Sequence, residues 1–349
     1  MLEQLHLQNM TVFQEADFAL SPGLNVVIGE NASGKTHFLK AGYCVAATLA
    51  PSGKQQAGNI PSKAFLQSAL AEKLVNVFRP ENLGRIVRRR QGRERCEIAA
   101  CFADARCNTS FSFATQSKTE VSLEQTPSAW NAIVPAYIPT REILSLYPNF
   151  VSVYENRYLE FEETYRDLCL LLGVPVVRGQ REAGVKKLLK PLEAAMGGTV
   201  VLDKNGRFYL RSKGQGNMEI PLVAEGVRKL AMLARLVMNG TLLDKGMLFW
   251  DEPDTSLNPK LITHLARFIA ALAQSGVQVV IATHSLFLLR ELEILHQSRD
   301  YRNMPARFFA LHPGEQGVSV QAGDALDDLD PIASLDEELS QSDRYMEVQ

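Results

Sequence analysis

The chain has 349 residues, of which 46% are hydrophobic and 22% are charged, and its formal net charge at pH 7 is -2. These values are ordinary for a folded protein in water, and the length allows one large domain or two small ones. A nearly neutral charge excludes nucleic-acid binding by the whole surface, so such binding would need a local basic patch. No stretch approaches the roughly 20 apolar residues of a membrane span, and the first ten residues do not resemble a signal sequence.

The cysteines have no spacing typical of a zinc site or a disulfide framework, and their odd number favours a reducing compartment. They are Cys44, Cys96, Cys101, Cys107 and Cys169. We therefore expect buried free thiols in a cytoplasmic protein that has no membrane partner.

The first fifty residues predict a hairpin, then a strand, a tight loop and a helix. Residues 2–20 alternate loosely and end at Ser21-Pro22-Gly23, which predicts an antiparallel hairpin. Residues 24–29 form an apolar run typical of a buried strand. A helix is predicted from residue 37 to residue 49, because apolar side chains recur there at helical spacing: Phe38, Leu39, Ala41, Val45 and Leu49.

The loop between that strand and that helix, residues 29–36, fits the phosphate-loop pattern G-x-x-x-x-G-K-[ST] in its required setting. Gly29 and Gly34 allow consecutive N–H groups to face phosphates, and the helix N-terminus adds a positive dipole end. Lys35 supplies a charge for the β- and γ-phosphates, and the Thr36 hydroxyl is a ligand for Mg²⁺. ATP and Mg²⁺ are the predicted cofactors. The predicted ATP-binding residues are Gly29, Asn31, Ala32, Ser33, Gly34, Lys35, Thr36 and His37.

The middle of the chain mixes helical and β-rich segments. The sequence predicts helices over residues 62–78, 151–172 and 185–196, and a hairpin over 197–210 with its turn at 203–206. Residues 132–142 read as an apolar strand that ends in a polar turn, a usual place for a ligand-facing edge in an α/β sheet. Because no heptad pattern is sustained between residues 41 and 226, a long coiled-coil arm is not expected.

Seven arginines between Arg79 and Arg95 form the one marked basic cluster of the sequence, densest from Arg85 to Arg95. One interpretation is a contact with the phosphate backbone of DNA or with an acidic partner. The other is a solvated strand edge that charge protects from pairing.

A second apolar strand, residues 247–250, runs directly into Asp251 and Glu252. A carboxylate at a strand end can hold Mg²⁺, which is the predicted role of Asp251 together with Thr36. Glu252 can accept a proton from the attacking water. A third apolar strand, residues 277–282, leads to His284, which can contact the γ-phosphate or that water. Glu252 and His284 are the predicted catalytic residues.

Residues 223–226 open a helix about twenty-five residues before Asp251. A helix N-terminus that begins near a glycine is an anion site, and the phosphate loop already has its own helix. This second N-terminus would therefore face the nucleotide of another subunit. The alternative is an ordinary amphipathic core helix.

Together these motifs resemble the ATP-binding-cassette (ABC) type head of the structural-maintenance-of-chromosomes (SMC), RecF and overcoming-lysogenization-defect (OLD) proteins. Residues 29–36 match Walker A, 249–252 match Walker B, 254–259 match the D-loop with Asp254 and Ser256, and His284 matches the switch histidine. Ala224, Glu225, Gly226 and Arg228, followed by Lys229, match the signature helix that acts in trans. Residues 137–142 resemble the "Y-[IL]-P-[ST]-R-E" strand of prokaryotic members, near which we place the glutamine-loop function.

The resemblance implies an α/β P-loop fold: a mixed central sheet flanked by helices, an N-terminal antiparallel β subdomain and a helical/β insertion. It implies one ATPase head over residues 1–349. The nucleotide-binding core is expected in 1–49 and 216–323, the insertion in 50–215 and an acidic tail in 324–349. That tail has leucines at three- and four-residue steps, so docking, partner binding and simple solvation all stay open.

The resemblance further implies an ATPase that dimerises head to tail around ATP. Two departures are the alanine at 224, where a serine is usual, and the short sequence after His284, which is too short for a Toprim nuclease module. The expected function is control of a separately encoded effector protein, as in bacterial anti-phage defence or toxin–antitoxin modules. A RecF-like DNA-repair clamp is the alternative, and a transporter cassette fits the degenerate signature less well.

Overall fold

The computed structural model describes residues 1–50, 60–89, 94–156, 160–178, 182–214, 216–243 and 246–347. Its strands are β1 (Leu2–Met10), β2 (Phe13–Ala19), β3 (Leu24–Gly29), β4 (Arg95–Phe102), β5 (Thr109–Ala114), β6 (Ser122–Gln125), β7 (Pro135–Ile138), β8 (Gly198–Leu202), β9 (Phe208–Ser212), β10 (Gly216–Glu219), β11 (Met247–Asp251), β12 (Gln278–Thr283), β13 (Ala306–Gly314) and β14 (Gly317–Gly323). Its helices are α1 (Lys35–Leu49), α2 (Lys63–Phe78), α3 (Phe150–Glu155), α4 (Glu163–Gly173), α5 (Glu182–Met196), α6 (Glu225–Met238), α7 (Pro259–Gln274), α8 (Leu286–Gln297) and α9 (Ala333–Glu347).

A six-stranded sheet with the order β14-β13-β3-β12-β11-β7 forms the centre of the fold. Its strands run parallel except β14, which pairs antiparallel with β13 at one edge. The carboxyl ends of parallel strands meet at one edge of a sheet. The residues that follow β3, β7, β11 and β12 are therefore brought together, and these are the segments that carry the predicted motifs.

The central strands are apolar on both faces because both faces are covered. On β3, Val26 and Ile28 belong to the core against α4–α8, whereas Val27 belongs to the core against α1, α2 and the antiparallel sheet. The same alternation on β11 sends Trp250 to the first core and Phe249 to the second. The predicted mixed central sheet between helices is confirmed.

An antiparallel sheet with the order β2-β1-β4-β5-β6 covers the second core. The hairpin predicted for residues 2–20 is confirmed by the antiparallel pairing of β1 with β2. Strands β4–β6 come from the range 50–215, which was expected to be an insertion, and so does β7 of the central sheet. That range therefore completes both large sheets, because strands distant in sequence supply the missing hydrogen-bond partners.

A small sheet with the order β10-β9-β8 precedes the start of α6. Strands β8 and β9 form the predicted hairpin. Its turn is closed by the N–H of Gly206, which donates to Asp203 O at 3.2 Å. The single helix expected over residues 151–172 is instead two helices, α3 and α4. The chain leaves α3 at Asn156, and Glu162 is in an extended conformation just before α4 begins.

The acidic tail is docked over its first part. Leu326, Leu329 and Ile332 are buried in the core that contains α7 and α8. From residue 336 onward α9 is exposed, apart from an ion pair of 3.0 Å between Arg290 and Glu338. Of the alternatives for the tail, docking holds for this first part.

All five cysteines are free thiols, as predicted, and Cys101 is the one that is not fully buried. Among the helices in the described ranges, none has both the length and the apolar character required to cross a membrane.

Candidate ATP-binding site

The phosphate loop depends on two glycines that no other residue can replace without strain. Gly34 has a φ of 97°, and a Cβ there would lie 2.6 Å from Val12 Cγ2. Gly29 has a φ of 155°, and a Cβ there would lie 2.7 Å from Ser33 Oγ. Positive φ and missing space both select glycine. The loop can therefore turn tightly enough to point its backbone N–H groups into one concavity.

The phosphate loop gathers polar groups that are suited to an anion. The N-terminus of α1 has no side-chain cap, and Ser33 Oγ is buried without a hydrogen-bond partner in the described part of the chain. Lys35 Nζ donates to Gly29 O at 2.7 Å and to Glu30 O at 2.9 Å. Burial lowers the pKa of Lys35, and the carboxylates of Glu252 and Asp251 oppose that shift. A phosphate group fits this arrangement of amides, hydroxyl and ammonium.

The two predicted magnesium ligands are in contact with each other. Thr36 Oγ1 donates to both oxygens of Asp251, at 2.9 Å and 3.1 Å. Thr140 Oγ1 also donates to Asp251, at 3.4 Å. Burial raises the pKa of Asp251, and the Thr36 hydrogen bond opposes the shift. A buried carboxylate that is held by hydroxyl groups is a donor set suited to a hard cation such as Mg²⁺.

Glu252 and His284 form a close pair beside this carboxylate. His284 Nδ1 lies 2.7 Å from Glu252 Oε2, with 58% of the histidine side chain exposed and 16% of the glutamate side chain. Glu252 has a φ of 48°, which is unusual for a residue with a side chain. Its N–H donates to Ala282 O at 2.9 Å, so the end of β12 fixes the strained backbone.

The D-loop is held by the elements on either side of it. Thr283 Oγ1 donates to Asp254 at 2.7 Å, and Lys229 Nζ donates to Thr255 O at 2.7 Å. Gly226 lies under the same loop, because a Cβ on Gly226 would be 2.8 Å from Ser256 O. The D-loop and the first turn of α6 therefore form one packed unit within the chain.

The start of α6 carries the predicted trans residues. Ala224 and Glu225 are exposed, and Ala224 offers no side-chain cap to the helix. Arg228 instead contacts its own chain: its Nε lies 2.7 Å from Glu142 Oε1, and its Nη1 donates to Val223 O at 3.0 Å. The trans role of these residues remains a prediction.

A cleft of about 370 Å³ opens beside the phosphate loop between Asn31, His284, His312 and Glu337. Of the lining residues in the described ranges, none belongs to α6.

His37, in the first turn of α1, shares a cavity with part of the basic cluster. His37 lines a cavity of about 390 Å³ with Thr11 and Arg85, and its Nδ1 has no hydrogen-bond partner among the residues that the structure describes. Burial lowers the pKa of His37, and Lys40 adds to the shift.

The arginine cluster is only partly described, because Arg90 and Arg93 lie outside the described residues. Arg85 forms an exposed ion pair with Glu81 at 3.0 Å. Arg95 belongs to β4, which lies between β1 and β5 in the sheet. Arg95 is the first residue of β4 and pairs with Ala114 of β5, whereas the register of β4 with β1 ends at Glu97, so both interpretations of the cluster stay open.

Some residues of the site gave little signal in the sequence. Thr140 and Glu142 lay in a segment that was assigned only loosely to a glutamine-loop function, and Thr283 was passed over. Their contacts join loops that are distant in sequence, so only the folded chain reveals them. The polar ending of β7 was the one available indication.

The phosphate loop, the carboxylates that end β11 and the histidine that follows β12 define a P-loop nucleotide-binding head. Residues 131–290 match the family described as "AAA domain, putative AbiEii toxin, Type IV TA system", and residues 4–73 match a second family described as "AAA domain".

Curated relatives match over short segments. The chain is 49% identical over 47 residues to the DNA replication and repair protein RecF of Streptococcus equi subsp. zooepidemicus, covering 14% of this chain and 13% of RecF. It is 36% identical over 76 residues to RecF of Limosilactobacillus reuteri, covering 21% and 20% of the two chains. The matched segment is thus a fifth or less of the length of each of these two relatives.

Solved structures match over most of the chain. An SMC head bound to the C-winged helix domain of ScpA has a TM-score of 0.56 at 12% identity, covering 92% of this chain and 97% of that one. An Smc head with an extended coiled coil, bound to a ScpA C-terminal domain derived from Pyrococcus furiosus, has a TM-score of 0.54 at 11% identity and covers 97% and 99%. Together these matches support an ABC-type AAA head of the RecF and SMC group, and the solved structures show that the chain has the fold of an SMC head.

Proposed function

We propose that the protein binds and hydrolyses ATP, dimerises head to tail around it, and thereby controls a separately encoded effector protein. The observation that carries the proposal is the convergence of Lys35, Thr36, Asp251 and the Glu252–His284 pair at one edge of the central sheet. The exposed start of α6 supports a site that only a second copy completes.

In this proposal Thr36 and Asp251 hold Mg²⁺, which supplies charge stabilisation at the phosphates when it is bound. Lys35 turns from the carbonyls of Gly29 and Glu30 toward the β- and γ-phosphates, because a phosphate anion is a stronger partner than a carbonyl. The backbone N–H groups of residues 31–34 and the α1 N-terminus bind the remaining phosphate oxygens.

Glu252 is the proposed general base for the attacking water. Its strained backbone and its backbone hydrogen bond to Ala282 fix where the carboxylate stands. His284, which lies 2.7 Å away, orients that carboxylate and is exposed enough to contact the γ-phosphate. A positioned base contributes about 10²–10⁴-fold to a rate, so loss of Glu252 should slow hydrolysis by that order.

The second copy supplies the signature helix. Ala224 and Glu225 are exposed at the start of α6, and the uncapped helix N-terminus favours a negative charge such as the γ-phosphate. With alanine at 224 there is no hydroxyl for that phosphate, so the backbone amides near Gly226 and the helix dipole carry the contact. Such a dimer has an open and a closed state, and an effector that binds one state better than the other would respond to ATP.

An effector role in anti-phage defence or in a toxin–antitoxin module is supported by the family description that residues 131–290 match. A RecF-like clamp on DNA is the second candidate, supported by the short identity to RecF and by the exposed arginines near Arg85.

The ATPase proposal is tested with three proteins: wild type, Lys35→Ala and Glu252→Gln. We expect Lys35→Ala to lose tight ATP binding, and Glu252→Gln to bind ATP while hydrolysing at least about 10²-fold more slowly. The wild-type rate per molecule should rise with protein concentration, because each site needs a second copy. A Glu252→Gln rate equal to wild type would contradict the assignment of the base.

The DNA candidate is tested by replacing Arg85, Arg88 and Arg89 with alanine and measuring DNA affinity at several salt concentrations. If these arginines contact phosphates, affinity falls and its dependence on salt weakens. An unchanged isotherm counts against the clamp and favours the effector role.

A further inference from the structure

The turn that follows β7 connects the Asp251 side of the site to a buried carboxylate. Thr140 Oγ1 donates to Asp251 at 3.4 Å. Two residues further on, Glu142 is only 6% exposed. Ser145 fixes this side chain, since its Oγ donates to Glu142 Oε1 at 2.6 Å and its N–H donates to Oε2 at 3.2 Å. Because Glu142 is buried and held in place, a movement of the turn at Thr140 also moves Glu142.

Glu142 holds the first turn of α6 through Arg228. Arg228 Nε lies 2.7 Å from Glu142 Oε1, and the same side chain donates to Val223 O at 3.0 Å, just before the helix begins. The next residue, Lys229, donates to Thr255 O in the D-loop. The start of α6 is thus fixed by contacts with two segments, the turn after β7 and the D-loop.

We propose that Glu142 and Arg228 are a positioning pair, which sets the orientation of the α6 N-terminus according to what Asp251 holds. The Thr140 hydroxyl would compete with a cation for the Asp251 carboxylate, and loss of this hydrogen bond would release the turn that carries Glu142. Arg228 then shifts the surface around Ala224, which is the surface that contacts the second copy in the proposed dimer. The inference rests on the proposed ATP-dependent dimer and assigns Arg228 to its own chain rather than to the nucleotide of a partner.

The cis role and the trans role of Arg228 predict opposite effects of one substitution. If the pair acts in cis, Glu142→Gln and Arg228→Gln each disturb the same helix start, so both weaken dimerisation. If Arg228 instead contacts the partner's nucleotide, removing Glu142 releases the arginine, so Glu142→Gln leaves dimerisation unchanged or strengthens it. Only Arg228→Gln would then weaken dimerisation.

The experiment uses the slowly hydrolysing Glu252→Gln protein as the background for Glu142→Gln, Arg228→Gln and the double variant. Arg235→Gln is the matched control, because Arg235 is a buried arginine of the same helix that donates to Leu172 O at 2.9 Å. Fluorescent ATP measures nucleotide affinity on the monomer, and mass photometry with saturating ATP and Mg²⁺ measures the dimer dissociation constant.

We expect each single variant to raise the dimer dissociation constant at least about tenfold, with monomer ATP affinity unchanged within about twofold. The double variant should be no worse than either single, since both remove one interaction. Arg235→Gln should leave the dimer unchanged. The inference is overturned if the Glu142→Gln variant has the same dimer dissociation constant as the parent. It is also overturned if Arg235→Gln weakens the dimer as much as Glu142→Gln and Arg228→Gln do.

A failure of the underlying function is recognised separately. If the Glu252→Gln parent itself does not dimerise with ATP, the proposed function fails. The pair is then judged by hydrogen exchange of the α6 amides in the monomer. Mg²⁺-ATP should change exchange at residues 225–229 in the parent and not in the Glu142→Gln variant. The same change in both proteins would overturn the pair.

Discussion

Replacing Gly226 with alanine tests whether the D-loop and the signature helix are one packed unit. A Cβ on Gly226 would lie 2.8 Å from Ser256 O and 2.9 Å from Leu257 Cδ2, closer than such atoms approach in folded proteins. Because a backbone oxygen cannot move without moving its loop, the added methyl group must displace the D-loop. Overpacking of this kind costs about 1–3 kcal/mol.

Gly184→Ala is the matched control, because Gly184 is also in the first turn of a helix and a Cβ there would meet no atom of the described residues within 4 Å. A glycine-to-alanine change in helical backbone stabilises by about 0.4–1 kcal/mol, and this gain applies to both variants. The difference between the two variants therefore isolates the contact with the D-loop, at about 1–3 kcal/mol.

Urea denaturation followed by tryptophan fluorescence measures this difference, since Trp250 is fully buried at the end of β11. We expect Gly184→Ala to unfold at a higher urea concentration than wild type, and Gly226→Ala at a lower concentration than Gly184→Ala. Equal midpoints for the two variants would refute the packing of the D-loop on α6.

Three further substitutions test the burial of single residues. Burial lowers the pKa of Lys229, so the folded chain binds fewer protons than the unfolded chain between that lowered pKa and the ordinary one. The free energy of unfolding should therefore rise with pH across this alkaline window in wild type. Lys229→Met should make the rise smaller, with the remainder coming from groups such as the buried Lys35; an identical slope would contradict the prediction. Asp251→Asn removes a buried carboxylate, so we expect the variant to have a higher melting temperature than wild type when no ligand is present. Differential scanning fluorimetry should show that Mg²⁺ together with ATP does not raise the melting temperature of the variant further. An equal rise in both proteins would argue against Asp251 as a metal ligand. Ile332→Ala should lower the free energy of unfolding by about 2–5 kcal/mol if the tail is docked, and no change in urea denaturation would show that it is not.

The sequence predicted those parts of the site that are contiguous in the chain. The phosphate loop and the carboxylates after β11 are local patterns, because each needs only a strand, a turn and the residues between them. The hairpins of residues 2–20 and 197–210 were predictable for the same reason, since turn residues separate two short β segments.

Contacts between distant segments could not be predicted from those patterns. The pair of Glu142 and Arg228 joins a strand-end turn to a helix start, and neither residue type is unusual at its position. The pairing of β4 with β1 likewise depends on tertiary hydrogen bonds that leave no mark in composition. The break between α3 and α4 was missed because apolar residues continue at helical spacing on both sides of it.

The central claim is that ATP brings two copies of this chain together, and the mass of the Glu252→Gln protein tests it most directly. The account predicts a monomer without nucleotide and a dimer with ATP and Mg²⁺, whereas Lys35→Ala in the same background should stay monomeric. A Glu252→Gln protein that binds ATP and remains a monomer at every concentration would contradict the account.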